Sequence, residues 1–219
     1  MALRALLFDF DGLIIDTESA VYEGWREFYA SHGHPLAVHT WAQCVGTDFG
    51  VYNPKAELEA FTGKNFDWVT AEAEIEVRIR ELLQGYDALP GVRELLDEAA
   101  AAGVPCSVAS SSHLSWVTGW LSHLELAHCF TNVSCRDHVA QIKPAPDLYL
   151  DAAGKLQVDA AEVVVFEDSL NGLRAAVSAG MRCITAPGPL TRHLDLSASW
   201  RQVSSLAKVS LTELQEALA

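Results

Sequence analysis

Short apolar runs, each followed directly by polar residues, are the feature that most constrains how this chain can fold. Three clear runs span 4–9, 104–109 and 162–167, and weaker candidates span 182–185 and 129–133. Their apolar residues are nearly continuous instead of alternating with polar ones. This pattern is typical of strands that are covered on both faces in a parallel sheet. We therefore expect helices on both sides of a buried sheet.

Helical patterns lie between these runs and complete the alternation. They cover 91–102, 114–124, 147–155 and 170–179. Gly103 and Gly180 follow the first and the last of them, and glycine is favoured just beyond a helix C-terminus. Regular alternation of strands and helices predicts an α/β domain with a doubly wound, mainly parallel sheet.

Residues 16–87 interrupt this alternation. Four helical patterns follow one another without an intervening strand, at 16–32, 38–45, 54–62 and 67–84. The Leu89-Pro90-Gly91 turn then returns the chain to the strand–helix pattern. The sequence therefore predicts a core domain built from residues 1–15 and 88–219, with residues 16–87 forming an inserted helical cap domain.

Charge, cysteine content and hydropathy exclude several classes of protein. The formal net charge of −14 argues against a nucleic-acid partner, which requires a basic surface. Five scattered cysteines without C-x-x-C spacing are typical of free thiols in a reducing compartment, not of a zinc site. No apolar run approaches eighteen residues, and no signal-peptide pattern opens the chain. We expect a cytoplasmic protein that does not bind membranes.

Polar residues cluster where the predicted strands end, which is where α/β sheets bind ligands. The residues in question are Asp9, Asp11 and Gly12 after the first run, Ser110 and Ser111 after the second, Glu167 and Asp168 after the third, and Lys143 in the proline-braced loop 141–147. Residues i and i+2 of a strand point the same way, so Asp9 and Asp11 can converge on one centre.

Several carboxylates at one sheet edge repel each other unless a cation lies among them. Hard oxygen ligands of this kind favour Mg²⁺, which often binds through a few carboxylates together with a substrate phosphate. Lys143 and Ser110 would add a positive charge and a hydroxyl donor for that phosphate, and the amides that open the next helix would add anion-binding dipoles. A turn at Asp9-Phe10-Asp11-Gly12 with no chemistry is the structural alternative.

Taken together, four motifs resemble those of the haloacid dehalogenase-like hydrolase superfamily. They are DFDGLIIDT, VASSS, KPAPD and FEDSLNGLRAA, in the family's order and covering nearly the entire chain. The helical insertion resembles the small cap of the subfamily that includes β-phosphoglucomutase and sugar-phosphate phosphatases. The resemblance implies a Rossmann-like core under a helical cap.

The resemblance also implies roles for individual residues. Asp9 would be the nucleophile and Asp11 the acid/base. Phosphate binding would fall to Ser110, Ser111, Lys143 and Gly12. The Mg²⁺ ligands would be Asp9, the Asp11 main-chain carbonyl and Asp168, with Glu167 either a ligand or a group behind the ligands. Cap contacts to the leaving group would come from Glu18, Tyr22, Arg26 and Thr47, with His113 beside the second motif. The six tryptophans are interpreted as packing groups.

The predicted function is hydrolysis of a small phosphorylated metabolite, of sugar or polyol type, through an aspartyl-phosphate intermediate. The partner is thus a small-molecule phosphate ester, and the chain is expected to be a monomer or a weak homodimer. A β-phosphoglucomutase-type mutase is the alternative, and a catalytically silent binding protein of the same fold is a further one. Mutase-like sequences carry a histidine where this chain has Val21, an arginine where it has Asp48, and a cap lysine where it has Glu72. These differences favour water as the acceptor.

Overall fold

A parallel six-stranded sheet forms the centre of the molecule. The structure is a computed structural model that describes residues 2–41 and 52–218. The strands are β1 (Ala5–Phe8), β2 (Cys106–Ala109), β3 (Asn132–Ser134), β4 (Val163–Glu167), β5 (Arg182–Thr185) and β6 (Arg201–Gln202). Their order is β3-β2-β1-β4-β5-β6, and every neighbouring pair is parallel. The predicted doubly wound α/β fold class is confirmed.

The helices fall into two groups along the chain. Between β1 and β2 lie α1 (Thr17–Ser31), α2 (Val38–Trp41), α3 (Pro54–Thr62), α4 (Trp68–Leu83) and α5 (Val92–Ala101). The later helices are α6 (Leu114–His123), α7 (Asp147–Leu156), α8 (Leu170–Ser178) and α9 (Leu211–Leu218). The predicted helix 38–45 is described only as far as Trp41; its remainder lies outside the described residues.

Alternate residues of the central strands pack into two separate apolar cores. Leu6, Phe8, Val164 and Phe166 belong to one core, together with apolar residues of α5, α6 and α9. Ala5, Leu7, Val163 and Val165 belong to the other, with residues of α7 and α8. Because both faces are covered by helices, nearly every residue of these strands is apolar, as the sequence predicts.

Helices α1 and α4 pack together above the carboxyl ends of the strands. Asp16 caps α1 by accepting a hydrogen bond from the Ser19 amide at 3.0 Å. Trp25 of α1 stacks on Trp68 of α4, with ring centroids 6.1 Å apart. The division into a core and a cap at residues 16 and 87 stays a prediction, although the described parts of the segment, 16–41 and 52–87, are helical as expected.

Two elements were not predicted from the sequence. The two-residue strand β6 is exposed and has no apolar run. Helix α9 is the last described element, and it buries Leu211, Leu214 and Leu218 in the first apolar core, beside α5. Within residues 2–41 and 52–218, no helix has both the length and the apolar character that crossing a bilayer requires.

Candidate active site

The sheet places a group of acidic side chains between its two central strands. Strands β1 and β4 are neighbours at the point where the strand order reverses, which is the usual ligand crevice of a doubly wound sheet. Asp9 follows β1 directly, and its amide donates to the Phe166 carbonyl at 2.9 Å. Glu167 is the last residue of β4. The register therefore sets Asp9 and Glu167 side by side.

Lys143 is the cation of this group. Its Nζ donates hydrogen bonds to Asp9 Oδ1 and, at 2.7 Å, to Glu167 Oε1. The same ammonium lies 4.9 Å from the centroid of the Tyr149 ring. Only 4% of the Lys143 side chain is exposed. A buried ammonium held by two carboxylates is fixed in position, so it can serve as an oriented positive charge.

Glu167 holds Lys143 from behind. Its Oε1 also accepts from the Tyr149 hydroxyl at 2.6 Å, and its Oε2 accepts from the amides of Asp168 and Ser169 at 3.0 and 3.1 Å and from the Ser169 hydroxyl at 3.0 Å. Gly172 leaves room for this carboxylate, because a Cβ there would lie 1.6 Å from Glu167 Oε1. Glu167 is thus an anchor for Lys143, and its role as a metal ligand stays a prediction.

A divalent cation fits the charges and the donor atoms of this cluster. Asp9, Glu167 and Asp168 each offer a carboxylate oxygen, and the three atoms lie within 4.8 Å of one another. Three carboxylates and one ammonium leave a formal charge of −2 in a buried place, which is costly unless it is compensated. The Gly12 backbone lies close against these carboxylates, since a Cβ there would lie 2.5 Å from Asp168 Oδ2. Hard oxygen donors at a charge of −2 suit Mg²⁺.

Burial and mutual repulsion perturb the pKa values of the group. Burial, with Glu167 and Asp11 nearby, raises the pKa of Asp9 to about 8 although Lys143 opposes the shift. Burial and the neighbouring carboxylates hold the pKa of Asp168 well above its ordinary value. Burial alone would raise the pKa of Glu167, but Lys143 and the hydrogen bonds keep it below the ordinary value. Burial by itself would lower the pKa of Lys143. The negative charges of Asp9 and Glu167 outweigh burial, so the pKa of Lys143 is raised.

The Asp11 carboxylate lies beside this cluster and is held by its own donors. Ser110 and Ser112 donate their hydroxyls to Asp11 Oδ2 at 3.2 and 2.6 Å, and the Trp116 indole donates to Oδ1 at 3.0 Å. The Ser110 hydroxyl also accepts from the Ser112 amide at 3.0 Å. The structure therefore brings Ser110 and Asp11 into contact, while their roles stay predictions.

Three further residues predicted for the site lie near the acidic cluster or in its loops. Gly12 turns the chain with φ of +83°, and Ser111 is partly buried in the loop after β2. Glu18, in the first turn of α1, faces the cluster; burial, followed by Asp11, Asp9 and Asp16, raises its pKa to about 8.

Three other predicted residues contact groups outside the acidic cluster. The Tyr22 hydroxyl donates to the Leu36 carbonyl at 2.9 Å, and the Arg26 guanidinium pairs with Glu23 of its own helix. His113 is exposed and pairs with Asp137 at 3.2 Å. Thr47 lies outside the described residues. Contact of these four with a substrate stays a prediction.

A cleft of about 340 Å³ opens beside the site. Its walls include Gly12 and Asp16, the turn at Leu89 and Pro90, and the loop that carries Arg192. The volume lies within the range of small-molecule sites, roughly 300–1,000 Å³. Through Gly12 the cleft adjoins the acidic cluster.

Sequence reasoning missed four side chains that complete the site. They are Ser112, Trp116, Tyr149 and Thr191, the last of which donates to Asp168 Oδ2 at 3.3 Å. Ser112 stands in the quoted VASSS motif and so carried a signal. Tyr149 and Trp116 read as apolar positions of helices, because a phenol or indole edge that meets a carboxylate leaves no mark on hydrophobic periodicity.

Comparison with known proteins gives consistent matches. The family model of haloacid dehalogenase-like hydrolases matches residues 3–180. The chain is 37% identical over 216 residues to YhcW of Bacillus subtilis, covering 99% of this chain and 98% of that protein. It is 31% identical over 181 residues to fructose-1-phosphate phosphatase YqaB of Escherichia coli, covering 82% and 94%.

A solved structure matches over the same length. CbbY from Rhodobacter sphaeroides, a mutant in complex with xylulose-(1,5)bisphosphate, superposes with a TM-score of 0.78 at 29% identity. The match covers 98% of this chain and 100% of that one. The fold is therefore shared over nearly the whole of this chain.

Proposed function

The chain belongs to the haloacid dehalogenase-like hydrolases and is a phosphoric monoester hydrolase, and on that premise we propose that it is a Mg²⁺-dependent sugar- or polyol-phosphate phosphatase that works through an aspartyl-phosphate on Asp9. One observation carries the proposal. Three buried carboxylates cluster at the reversal point of the sheet, two of them bonded to Lys143, and Asp11 is held separately beside them.

Asp9 would attack the phosphorus of the ester. One Asp9 carboxylate oxygen forms the new P–O bond as the bond from phosphorus to the leaving oxygen breaks, which gives an aspartyl-phosphate. Lys143, held by Glu167 at 2.7 Å, keeps its charge next to the attacking group. That fixed charge opposes the negative charge on the phosphoryl oxygens during transfer.

Asp11 would act as the general acid in the first half-reaction and as the general base in the second. In the first, it gives a proton to the leaving oxygen, which departs as an alcohol. In the second, it takes a proton from the water that attacks the aspartyl-phosphate, so that Asp9 and inorganic phosphate are regenerated. General acid–base catalysis of this kind typically contributes ~10²–10⁴-fold to the rate.

Asp9, Asp168 and the Asp11 main-chain carbonyl would hold Mg²⁺, with Glu167 behind them or as a further ligand. When bound there, the ion would offset the charge of −2 and neutralise phosphoryl oxygens of the substrate. The protein's own part is to keep carboxylate oxygens of Asp9, Glu167 and Asp168 within 4.8 Å of one another.

A small phosphorylated sugar or polyol is the proposed substrate class. Support comes from the relatives, since YqaB is named as a fructose-1-phosphate phosphatase and the CbbY structure holds a pentulose bisphosphate.

Water, not a second sugar hydroxyl, is the proposed acceptor of the phosphoryl group. At the position where mutase-like sequences carry histidine, the partly buried Val21 packs against the apolar core that contains Leu6 and Phe8. Glu72 is paired with Lys55 at 2.6 Å. Asp48 lies outside the described residues. A second, non-transferring phosphate would thus find neither the histidine nor the lysine of a mutase at these positions.

A panel of phosphorylated metabolites with phosphate release as readout tests the proposal. We expect hydrolysis that requires Mg²⁺, that stops on addition of EDTA, and that prefers sugar or polyol phosphates. Asp9→Asn should abolish it, while Asp97→Asn, an exposed carboxylate of α5, should leave it unchanged. No phosphate release from any ester would contradict the proposal.

The mutase alternative has its own readout. The protein is incubated with β-glucose 1-phosphate and a trace of the glucose bisphosphate. We expect free phosphate or no reaction; glucose 6-phosphate formed without free phosphate would show that the acceptor is a sugar.

A further inference from the structure

Trp116 connects the Asp11 carboxylate to the helical segment. On one side its indole Nε1 donates to Asp11 Oδ1 at 3.0 Å. On the other, the guanidinium of Arg80 in α4 lies over the ring, 5.1 Å from its centroid. Trp116 itself belongs to α6 and packs edge-on against Trp120 at 5.7 Å. A residue that the sequence marks as packing thus contacts two functionally different parts of the molecule.

The indole fixes how the Asp11 carboxylate is turned. An indole N–H is a donor only, so Oδ1 acts as an acceptor for as long as this bond stands. The hydroxyls of Ser110 and Ser112, which can donate or accept, both meet Oδ2. A proton on the Asp11 carboxyl group therefore lies on Oδ2, next to Ser110, with the serine hydroxyls turned so that they no longer donate to that oxygen.

We propose that Trp116 is a positioning residue for Asp11 and that Arg80 ties α4 to it. This rests on the proposed function. Asp11 Oδ2–H then gives its proton to the leaving oxygen as the bond from phosphorus to that oxygen breaks and the Asp9–phosphorus bond forms. Without the indole donor the carboxylate can rotate, and the proton no longer points at the leaving group.

The dependence of the rate on the basicity of the leaving group tests whether Trp116 positions Asp11. Nitrophenolate is weakly basic and leaves without a proton, whereas phenolate is far more basic and gains from protonation. Steady-state kcat and KM are therefore measured with p-nitrophenyl phosphate and with phenyl phosphate, which differ little in size. Trp116→Phe keeps an aromatic ring for the contacts with Trp120 and Arg80 but removes the N–H donor.

We expect Trp116→Phe to lower kcat/KM on phenyl phosphate by ~10–100-fold, the effect of losing one hydrogen bond to a charged group. On p-nitrophenyl phosphate kcat/KM should change by less than about threefold, since kcat/KM covers only the steps up to release of the leaving group and not the later hydrolysis of the aspartyl-phosphate. Equal loss of kcat/KM on both esters, or no loss on either, would overturn the proposal. Wild-type protein that hydrolyses neither ester would instead contradict the proposed function.

A second replacement keeps the test independent of packing. Benzothienylalanine at position 116 has sulfur in place of the N–H in a bicyclic ring of nearly the same shape. It should reproduce the selective loss on phenyl phosphate. Full activity of this protein on phenyl phosphate would show that the indole N–H has no role.

Arg80 is tested against a matched arginine of the same helix. Arg80→Met should reduce kcat/KM on phenyl phosphate by a few-fold, in proportion to a cation–π contact worth ~0.5–1 kcal/mol at an exposed site. Arg78→Met is the control, since Arg78 pairs with Glu27 and Glu81. The same change in rate on phenyl phosphate in both variants would show that Arg80 does not tie α4 to Trp116.

Discussion

At the scale of the residue, Gly172 shows how closely the site is packed. Glu167 accepts hydrogen bonds on both oxygens and holds Lys143, and the only reason it fits is that α8 has no side chain at this position. Gly172 lies in the first turn of α8, and glycine in a helix costs up to about 1 kcal/mol relative to alanine. Glycine is needed at this position because the Cβ of any other residue would overlap the Glu167 carboxylate.

Gly172→Ala should displace Glu167 and, with it, Lys143. Because a displacement of about 1 Å in a catalytic group can cost ~10²-fold, we expect kcat to fall by about that factor, with a loss of about 1–3 kcal/mol in unfolding free energy from overpacking. Phosphate release and denaturant unfolding measure the two effects.

Gly154→Ala is the control for helix propensity. Gly154 lies on the exposed face of α7, and a Cβ there meets nothing within 4 Å. This variant should gain about 1 kcal/mol and keep its activity. Equal behaviour of the two alanine variants would refute the packing argument.

At the scale of the element, the turn after the helical segment is locked to the C-terminal part of the chain. Gly91, at the N-cap of α5, has φ of +94°, and a Cβ there would lie 1.9 Å from the Ala207 amide nitrogen. The Leu89 amide donates to the Ile14 carbonyl at 2.8 Å, so the chain that enters the helical segment and the chain that leaves it are hydrogen-bonded to each other here. The turn thus fixes where the helical segment joins the sheet.

Gly91→Ala should destabilise the protein more than Gly103→Ala does. Both glycines have positive φ, which costs alanine roughly 1–2 kcal/mol, but only Gly91 faces backbone atoms. Overpacking should add about 1–3 kcal/mol to the unfolding cost of Gly91→Ala. Urea unfolding of the two variants gives the difference directly, and equal midpoints would contradict the close contact with Ala207.

Elements differ in how well the sequence predicts them, for physical reasons. Buried strands such as β1 and β4 are apolar throughout because both faces are covered, so their ends could be read to within one or two residues. Strand β6 has two exposed residues and depends wholly on pairing with β5, which no local pattern encodes. The acidic residues were predictable because they stand at strand ends, whereas the indole of Trp116 meets a residue 105 positions away.

At the scale of the whole molecule, the uncompensated charge of the cluster links metal binding to stability. Asp9 has its pKa raised to about 8 by burial, and that of Asp168 is also raised. In the unfolded chain both groups lose their protons near pH 4. Between about pH 4 and pH 8 the folded state thus binds more protons than the unfolded state, so stability without metal falls as pH rises.

Mg²⁺ should reverse this trend. The increase in melting temperature that Mg²⁺ gives over EDTA should be small at pH 5 and large at pH 8, because ions bind the deprotonated carboxylates and stabilise the folded state. Asp168→Asn should remove most of the increase, while Asp97→Asn should keep it. A Mg²⁺ effect that does not vary with pH would contradict the charge argument.

The nucleophilic role of Asp9 is the central claim, and rapid acid quench followed by peptide mass spectrometry tests it most directly. The protein is mixed with Mg²⁺ and a hydrolysed ester from the panel and stopped during turnover. We predict one phosphoryl group on the peptide that contains Asp9, located to Asp9 by reduction of the acyl phosphate, and none in Asp9→Asn. Turnover with no phosphoryl group on Asp9 at any quench time, together with activity retained by Asp9→Asn, would contradict the account.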